Sequence, residues 1–409
     1  MARLLSTVTA AMLAALLAAG AGAEGIRLKA RAAGAASLLP ADGRGYWILE
    51  FPRAVEPETL AALAGAGVRV TAGLSAEAVA VSAQNDTDFA SYGALKAHIF
   101  APEYKLSPLL AAENALLMAE FHADVPPDSA RAVVEAAGLQ VVEYPDVLPH
   151  QLMVAGDPRR LTALAAWDEV AYLFPAAPEM AAGARMAACP GGALATGPVA
   201  QYVAAGPGWG PGPLHYFFSS YTSRLDRSTV ESEVIRALAE WARFAPLDFT
   251  PAAHAAAART IAVLFAPGAH GDAYPFDGRG RVLAHTFYPS PPNAEPLAGD
   301  MHLDDDEPWQ VGAPVDLFTV ALHEAGHALG LGHSDRPGSV MYPYYRQAAG
   351  LTEDDIAGVR QLYGRREWSE PPPPLPPPAP DPRGSGLALV IVTPASAAFE
   401  TAAASVTLE

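Results

Sequence analysis

Only one cysteine stands in the 409 residues, so no intrachain disulfide forms and a small disulfide-stapled fold is excluded. Positive charge is also scarce. The 26 Lys+Arg face 44 Asp+Glu, a formal net charge of −18. Phosphate contacts need clustered Lys and Arg, which argues against a nucleic-acid partner. The negative balance reads as solubility and identifies no substrate. Charged residues make up only 17% against 51% hydrophobic. That excludes a highly charged disordered chain and permits a buried core. After the first two dozen residues, no apolar run reaches the ~20 residues that span a bilayer. Proline and glycine, at 39 and 35 residues, are plentiful and hint at linkers. The length suggests two or three domains of roughly 100–200 residues each.

The first 23 residues have Arg3, an apolar run Leu4–Ala19 and the small-residue site Ala21-Gly22-Ala23. That is the layout of a secretory signal peptide, with a mature chain starting near Glu24. It predicts a secreted, extracellular protein with no membrane contact after cleavage.

Residues 45–180 read as one motif used twice. The copies begin at Tyr46–Phe51 and Leu116–Phe121. A Pro-marked turn and an Ala-rich helical run follow, ending at Gly67 and Gly138. Apolar strands come next, at Val68–Val70 and Leu139–Val142, then at Ala78–Val81 and Gln151–Val154. A second helical stretch is expected in each copy, before the closing segments Ile99–Pro102 and Leu173–Pro175. The order β-α-β-β-α-β predicts two small ferredoxin-like α/β modules, without a catalytic cluster.

Residues 186–213 are linker-like, and a second folded unit follows. Leu214–Ser219 and Thr260–Phe265 are strand candidates. Ser228-Thr-Val-Glu231 has the pattern of a capping box, opening a helix with Val230, Val234, Leu238 and Trp241 on one face. A further helix near 316–329 has Asp316 as its candidate N-cap. Residues 366–385 form a Pro-rich linker of extended polyproline type. Residues 386–409 hold two strand candidates, Leu387–Val392 and Ala404–Leu408, read as the start of a β-type module. The fold class expected is α+β and multidomain.

The chemistry concentrates in His323-Glu-Ala-Gly-His-Ala-Leu-Gly-Leu-Gly-His333. Residues four apart share a helix face, so His323 and His327 can hold one metal ion between them. Glu324 lies one step round, within reach of a water on that ion without being a ligand. Gly330 and Gly332 tolerate positive φ and allow the chain to turn back, bringing His333 in as third ligand. Three protein ligands leave one open position, the mark of a catalytic rather than a structural zinc site. Eight residues further comes Met341, within Ser339–Pro343.

This long zinc motif with a following methionine resembles the metzincins, zinc peptidases with a Met-turn beneath the metal. Ser334 and the segment Leu351–Gly364 resemble the matrixins, the matrix-metalloproteinase type, and the likeness covers about residues 197–365. It implies a catalytic domain with a twisted mixed sheet and helices. It also implies a metalloendopeptidase acting on protein or peptide substrates, with Glu324 as general base. By the same resemblance, His270, Asp272, His285 and His302 would hold a second, structural zinc. Asp277, Asp304 and Glu307, with the carbonyls of Gly278, Gly280 and Val282, would hold calcium, which prefers hard oxygen donors. Pro343 and Tyr345 would wall the pocket for the side chain after the cut, and Leu283–Phe287 would pair with an extended substrate. Thr260 stands where an acidic calcium ligand would be expected, and the loop Tyr288–Gly299 is unusually Pro-rich.

Cys189 precedes the catalytic unit. The resemblance implies a propeptide cysteine whose thiolate caps the zinc. The surrounding Ala188-Cys189-Pro190-Gly191 differs from the family's Arg-Cys-Gly, so an incidental free thiol is the alternative. Residues 24–185 would then be an inhibitor-like prodomain, with chaperone, inhibitor and adhesion roles all open. The competing function is a binding protein in which the metal unit is only a scaffold. An intact Glu324 beside three ligands argues against it.

Overall fold

The computed structural model describes residues 44–75, 77–110, 116–157, 160–189, 208–289 and 293–366. The signal-peptide reading (1–23), most of the 366–385 linker and the 386–409 module lie outside these residues.

Each copy of the N-terminal motif builds a four-stranded antiparallel sheet. In the first, β1 (Arg44–Glu50), β2 (Arg69–Ser75), β3 (Ala78–Gln84) and β4 (Lys96–Ile99) lie in the order β2-β3-β1-β4. In the second, β5 (Leu116–Phe121), β6 (Gln140–Val142), β7 (Gln151–Ala155) and β8 (Val170–Pro175) repeat that order as β6-β7-β5-β8.

The first helices match as well. α1 (Pro57–Gly65) and α2 (Pro127–Ala136) both open on proline, whose missing N–H costs nothing in a first turn. Both close on a left-handed glycine, Gly67 at φ 78° and Gly138 at φ 73°. In each case the next residue donates its N–H back into the helix, Val68 to Leu63 and Leu139 to Val134, a Schellman-type stop. The second helices diverge from expectation. The first copy has only a 3₁₀ turn, Phe89–Tyr92, opened by the Asp88 carboxylate and ended by Gly93 at φ 85°. Four residues between a cap and a stop leave no room for an α-helix. The second copy has the five-residue α3 (Leu161–Ala165), and the short α4 (Pro178–Ala181) follows β8.

The unit from 208 onward holds a five-stranded sheet in the order β10-β9-β11-β13-β12. Its strands are β9 (Leu214–Phe218), β10 (Phe249–Pro251), β11 (Thr260–Ala266), β12 (Ala284–Thr286) and β13 (Met301–Asp304). Four strands run parallel; β12 alone is antiparallel and forms one edge. Helices α5 (Arg227–Ala242) and α6 (Leu317–Ala328) pack together beside it, and α7 (Glu353–Tyr363) closes the unit. The expected apolar face of α5 is buried, and the Trp241 indole N–H donates 2.9 Å to the Leu322 carbonyl.

The start of α5 corrects the sequence reading. Its N-cap is Asp226, and Ser228 lies inside the first turn. Glu231 accepts instead from the Tyr221 hydroxyl and the Arg227 guanidinium, so the carboxylate required by the capping box is engaged elsewhere. Asp316 caps α6 as expected, accepting from the Thr319 N–H. Among the described residues, no helix is long and apolar enough to cross a membrane.

Candidate active site

Helix α6 carries His323, Glu324 and His327 in a fully buried stretch. Gly330 turns the chain back at φ 99°, whereas Gly332 does not enter the positive-φ region; one left-handed residue suffices for the return. His333 then reaches the other two, its Nε2 lying 3.2 Å from His323 Nε2 and 3.1 Å from His327 Nε2. Nitrogens bound tetrahedrally to one zinc stand about 3.4 Å apart.

The tautomers explain why these nitrogens face one another. His323 Nδ1 meets the Val340 carbonyl at 2.6 Å, and His327 Nδ1 meets the Leu331 carbonyl at 2.7 Å. A carbonyl only accepts, so each Nδ1 carries the proton and each Nε2 keeps its lone pair. Burial, and the neighbouring His323, hold His327 well below the usual imidazole range, so it stays neutral. The free Nε2 atoms of His323 and His327 thus converge on His333 Nε2, and three imidazole nitrogens at this spacing fit a zinc ion held between them. The ligand atoms of Cys189, His323, His327 and His333 all lie within 4.8 Å of one another.

Glu324 is 1% exposed, and its Oε2 accepts from the Thr286 hydroxyl at 2.7 Å. Sequence reasoning did not single out Thr286. Strand alternation assigns it: β12 sends His285 to one cluster and Thr286 to the other. Asp355 was also missed. Its carboxylate accepts from the Ser339 hydroxyl and from the backbone N–H groups of Val340 (3.0 Å) and Met341 (3.1 Å), and so fixes the turn whose Val340 carbonyl meets His323 Nδ1. Met341 packs against α6 at Gly326, where an added Cβ would meet its sulfur at 2.3 Å.

A cavity adjoins this centre, lined among others by Val320, Glu324, Pro343 and Tyr345. The Tyr345 hydroxyl accepts from the Asp316 N–H, tying the wall to the start of α6. The mouth is occupied by the chain itself. Ala188 donates to the Arg281 carbonyl (2.8 Å) and accepts from the Leu283 N–H (3.2 Å). On the other side, Cys189 donates to the Pro343 carbonyl and Tyr345 donates to the Ala187 carbonyl. Residues 187–189 thus lie as an extra strand between the 281–283 edge and the 343–345 wall.

The second cluster groups around Asp272. Its Oδ2 lies 2.9 Å from His270 Nε2, 2.9 Å from His285 Nε2 and 2.8 Å from His302 Nδ1. Burial alone would raise the Asp272 carboxyl. The Tyr274 N–H and the imidazoles of His285 and His302 together draw it down to about 2. Burial and the neighbouring His285 lower His302 to about 4. A carboxylate held low beside His285 and His302, which burial lowers, with His270 on the same oxygen, fits a closed four-ligand cation site.

Of the other residues considered from sequence, Asp277, Asp304 and Glu307 are neighbours. Burial raises the Asp304 and Glu307 carboxyls, and Asp277 adds repulsion to both. Asp304 Oδ2 and Glu307 Oε2 are buried without a hydrogen-bond partner. The Gly280 N–H donates to Glu307, and the Val282 N–H to Asp277 at 3.3 Å. Gly278, at φ 79°, turns the same loop. Orphaned buried carboxylate oxygens fit a hard cation.

Comparison with known proteins places this unit. Residues 208–364 match the peptidase family model described as matrixin. Rat (Rattus norvegicus) matrilysin is 45% identical over 166 residues, covering 39% of this chain and 60% of that protein. Human (Homo sapiens) matrilysin is 43% identical over the same length and shares. Rat stromelysin-2 is 43% identical over 170 residues, 40% of this chain and 34% of its own. The chain thus spans between about a third and three fifths of these relatives.

Proposed function

We propose that this chain, a member of the matrixin family through residues 208–364, is a secreted zinc-dependent endopeptidase made as a zymogen. The observation that carries the reading is the buried trio of imidazoles with converging Nε2 atoms beside a carboxylate held by Thr286. A binding module gains nothing from that carboxylate.

His323, His327 and His333 would hold the zinc. When bound, zinc polarises a carbonyl and makes water acidic enough to serve as a nucleophile near neutral pH. Glu324 accepts the proton of that water and later delivers it to the leaving amine. Thr286 aims the carboxylate by donating to one oxygen and leaving the other for the proton. The edge at Leu283–Phe287, whose start already pairs with Ala188 through Arg281 and Leu283, would take an extended substrate by strand addition. The cavity beside Pro343 and Tyr345 would receive the side chain after the cut.

His270, Asp272, His285 and His302 are read as a structural zinc site. Asp277, Asp304 and Glu307, with the Gly278, Gly280 and Val282 carbonyls, are read as a calcium site. The two N-terminal units, whose shared strand order supports a ferredoxin-like assignment, form the prodomain. The Cys189 thiolate is the zinc cap that keeps the enzyme latent.

The test is incubation of purified chain with casein, with and without a chelator, and mass spectrometry of the fragments it makes of itself. Turnover is expected only without chelator. Glu324→Ala should keep its zinc and lose about 10²–10⁴-fold in turnover. Undiminished cleavage by that variant would remove the assigned role.

A further inference from the structure

The cleft is shut by more than a thiol. The second N-terminal unit sits on the wall of the metal unit, and a single apolar cluster runs across the boundary. It joins Met118, Tyr172, Phe174 and Met180 to Tyr342 and Tyr344. Polar contacts pin the same face. Asp335, 4% exposed, accepts from the Ser107 hydroxyl at 2.7 Å and from the Tyr172 hydroxyl at 2.9 Å, both at Oδ2. The Tyr344 hydroxyl donates to Gln151 at 2.8 Å and accepts from the Leu148 N–H at 3.3 Å. Glu179 pairs with Arg346, and Arg346 lines the cavity beside the metal ligands.

We propose that residues 107–189 are an inhibitor in their own right, recognised by the face around Asp335, Tyr342 and Tyr344 and not only by the metal. The occupant of that face is this chain's own second unit. Hydroxyl pairs on a buried carboxylate are charge-assisted and directional, so the face selects a matched surface rather than any apolar one. The contact therefore holds without the Cys189 thiol and persists after the chain is cut between 189 and 208, with the inhibitor released only on dilution or digestion. This deepens the zymogen reading and rests on it for its activity arm alone.

The experiment uses the full chain with a recognition sequence for a site-specific protease placed between 189 and 208. Cys189→Ser removes the thiol. After cutting, the two pieces are run on a size-exclusion column, a readout that needs no catalysis. Peptide turnover is measured in parallel. Co-elution is expected, with turnover of the cut Cys189→Ser chain at least about tenfold below that of the metal unit recovered after separation. Adding Ser107→Ala and Tyr172→Phe should weaken the association by about 100-fold, two hydrogen bonds to a charged group. Ser107→Thr, which keeps the hydroxyl, should restore part of it and controls for misfolding. Separate elution of two folded pieces from Cys189→Ser would overturn the proposal, as would a double variant that binds as tightly as its parent. Co-elution with no turnover from any sample would support the docking and defeat the peptidase reading instead.

Discussion

The two histidine clusters differ in where their fourth donor comes from. Around His323, His327 and His333, the additional ligand atom belongs to Cys189, on a strand that enters from outside the unit. Around His270, His285 and His302, it is the Asp272 carboxylate, supplied by the same loop as His270. On the zymogen reading proposed above, a donor carried on a separate segment leaves a position to be opened; a donor built into the loop leaves none. On the proposed reading, chemically similar imidazoles make a site suited to reaction in one place and a clamp in the other.

Removing one ligand from each cluster should break this comparison apart. His327→Ala is expected to cost about 10³-fold or more in peptide turnover, since several kcal/mol of charge stabilisation go with the metal. The 270–302 region should keep its protection from proteolysis. Asp272→Ala should act the other way. It removes the acceptor that three imidazoles share and should lower stability by about 3 kcal/mol, the loss of hydrogen bonds to a charged group, measured by denaturant titration. Activity would then fall only as the fold is lost. Equal loss of turnover and stability from both variants would erase the distinction between the sites.

Gly326 sharpens the comparison on the catalytic side. It lies between His323 and His327, where an added Cβ would meet Met341 sulfur at 2.3 Å and the Trp241 ring at 2.9 Å. Methionine can give way, but the buried indole, hydrogen-bonded to Leu322, has little room. Gly326→Ala should cost about 1–3 kcal/mol as overpacking and lower zinc affinity, read by chelator competition. The closed cluster should hold its metal unchanged.

What could be read in advance follows from distance along the chain. The three converging histidines fall within eleven residues, and helix periodicity fixes two of them on one face, so spacing suffices to bring them together. Asp316 was legible for the same reason, because a cap acts on its own next turn. Thr286 meets Glu324 across 38 residues, and Asp355 meets the Met341 turn from a separate helix; no local pattern marks either. Asp335 is more hidden still, with partners 228 and 163 residues away. The misplaced start of α5 has a different cause. The Ser228–Glu231 spacing fits the capping-box pattern, but Asp226 holds the N-cap position and Tyr221 and Arg227 claim the carboxylate.

A third kind of buried histidine carries the comparison to its limit. His122 is 0% exposed, and neither ring nitrogen has a hydrogen-bond partner. It stacks on Tyr46 of the first N-terminal unit at 3.8 Å and meets Phe100 edge-on. Burial, and the nearby Lys105, hold it well below the usual imidazole range. Here no carboxylate or carbonyl rewards a charge, and no cluster of lone pairs invites a metal. The sign follows directly. Unfolding lets His122 take up a proton near pH 6.5 that the folded state refuses. Its contribution is therefore intact above that pH and is lost progressively as pH falls below it, by up to about 1.4 kcal/mol per pH unit. The contact between the two N-terminal units should loosen in mild acid, seen as faster amide exchange in β1 and β5. His122→Phe should keep the stacking and flatten that pH dependence. An unchanged acid slope in this variant would assign the sensitivity to other groups, and leave His122 as packing alone.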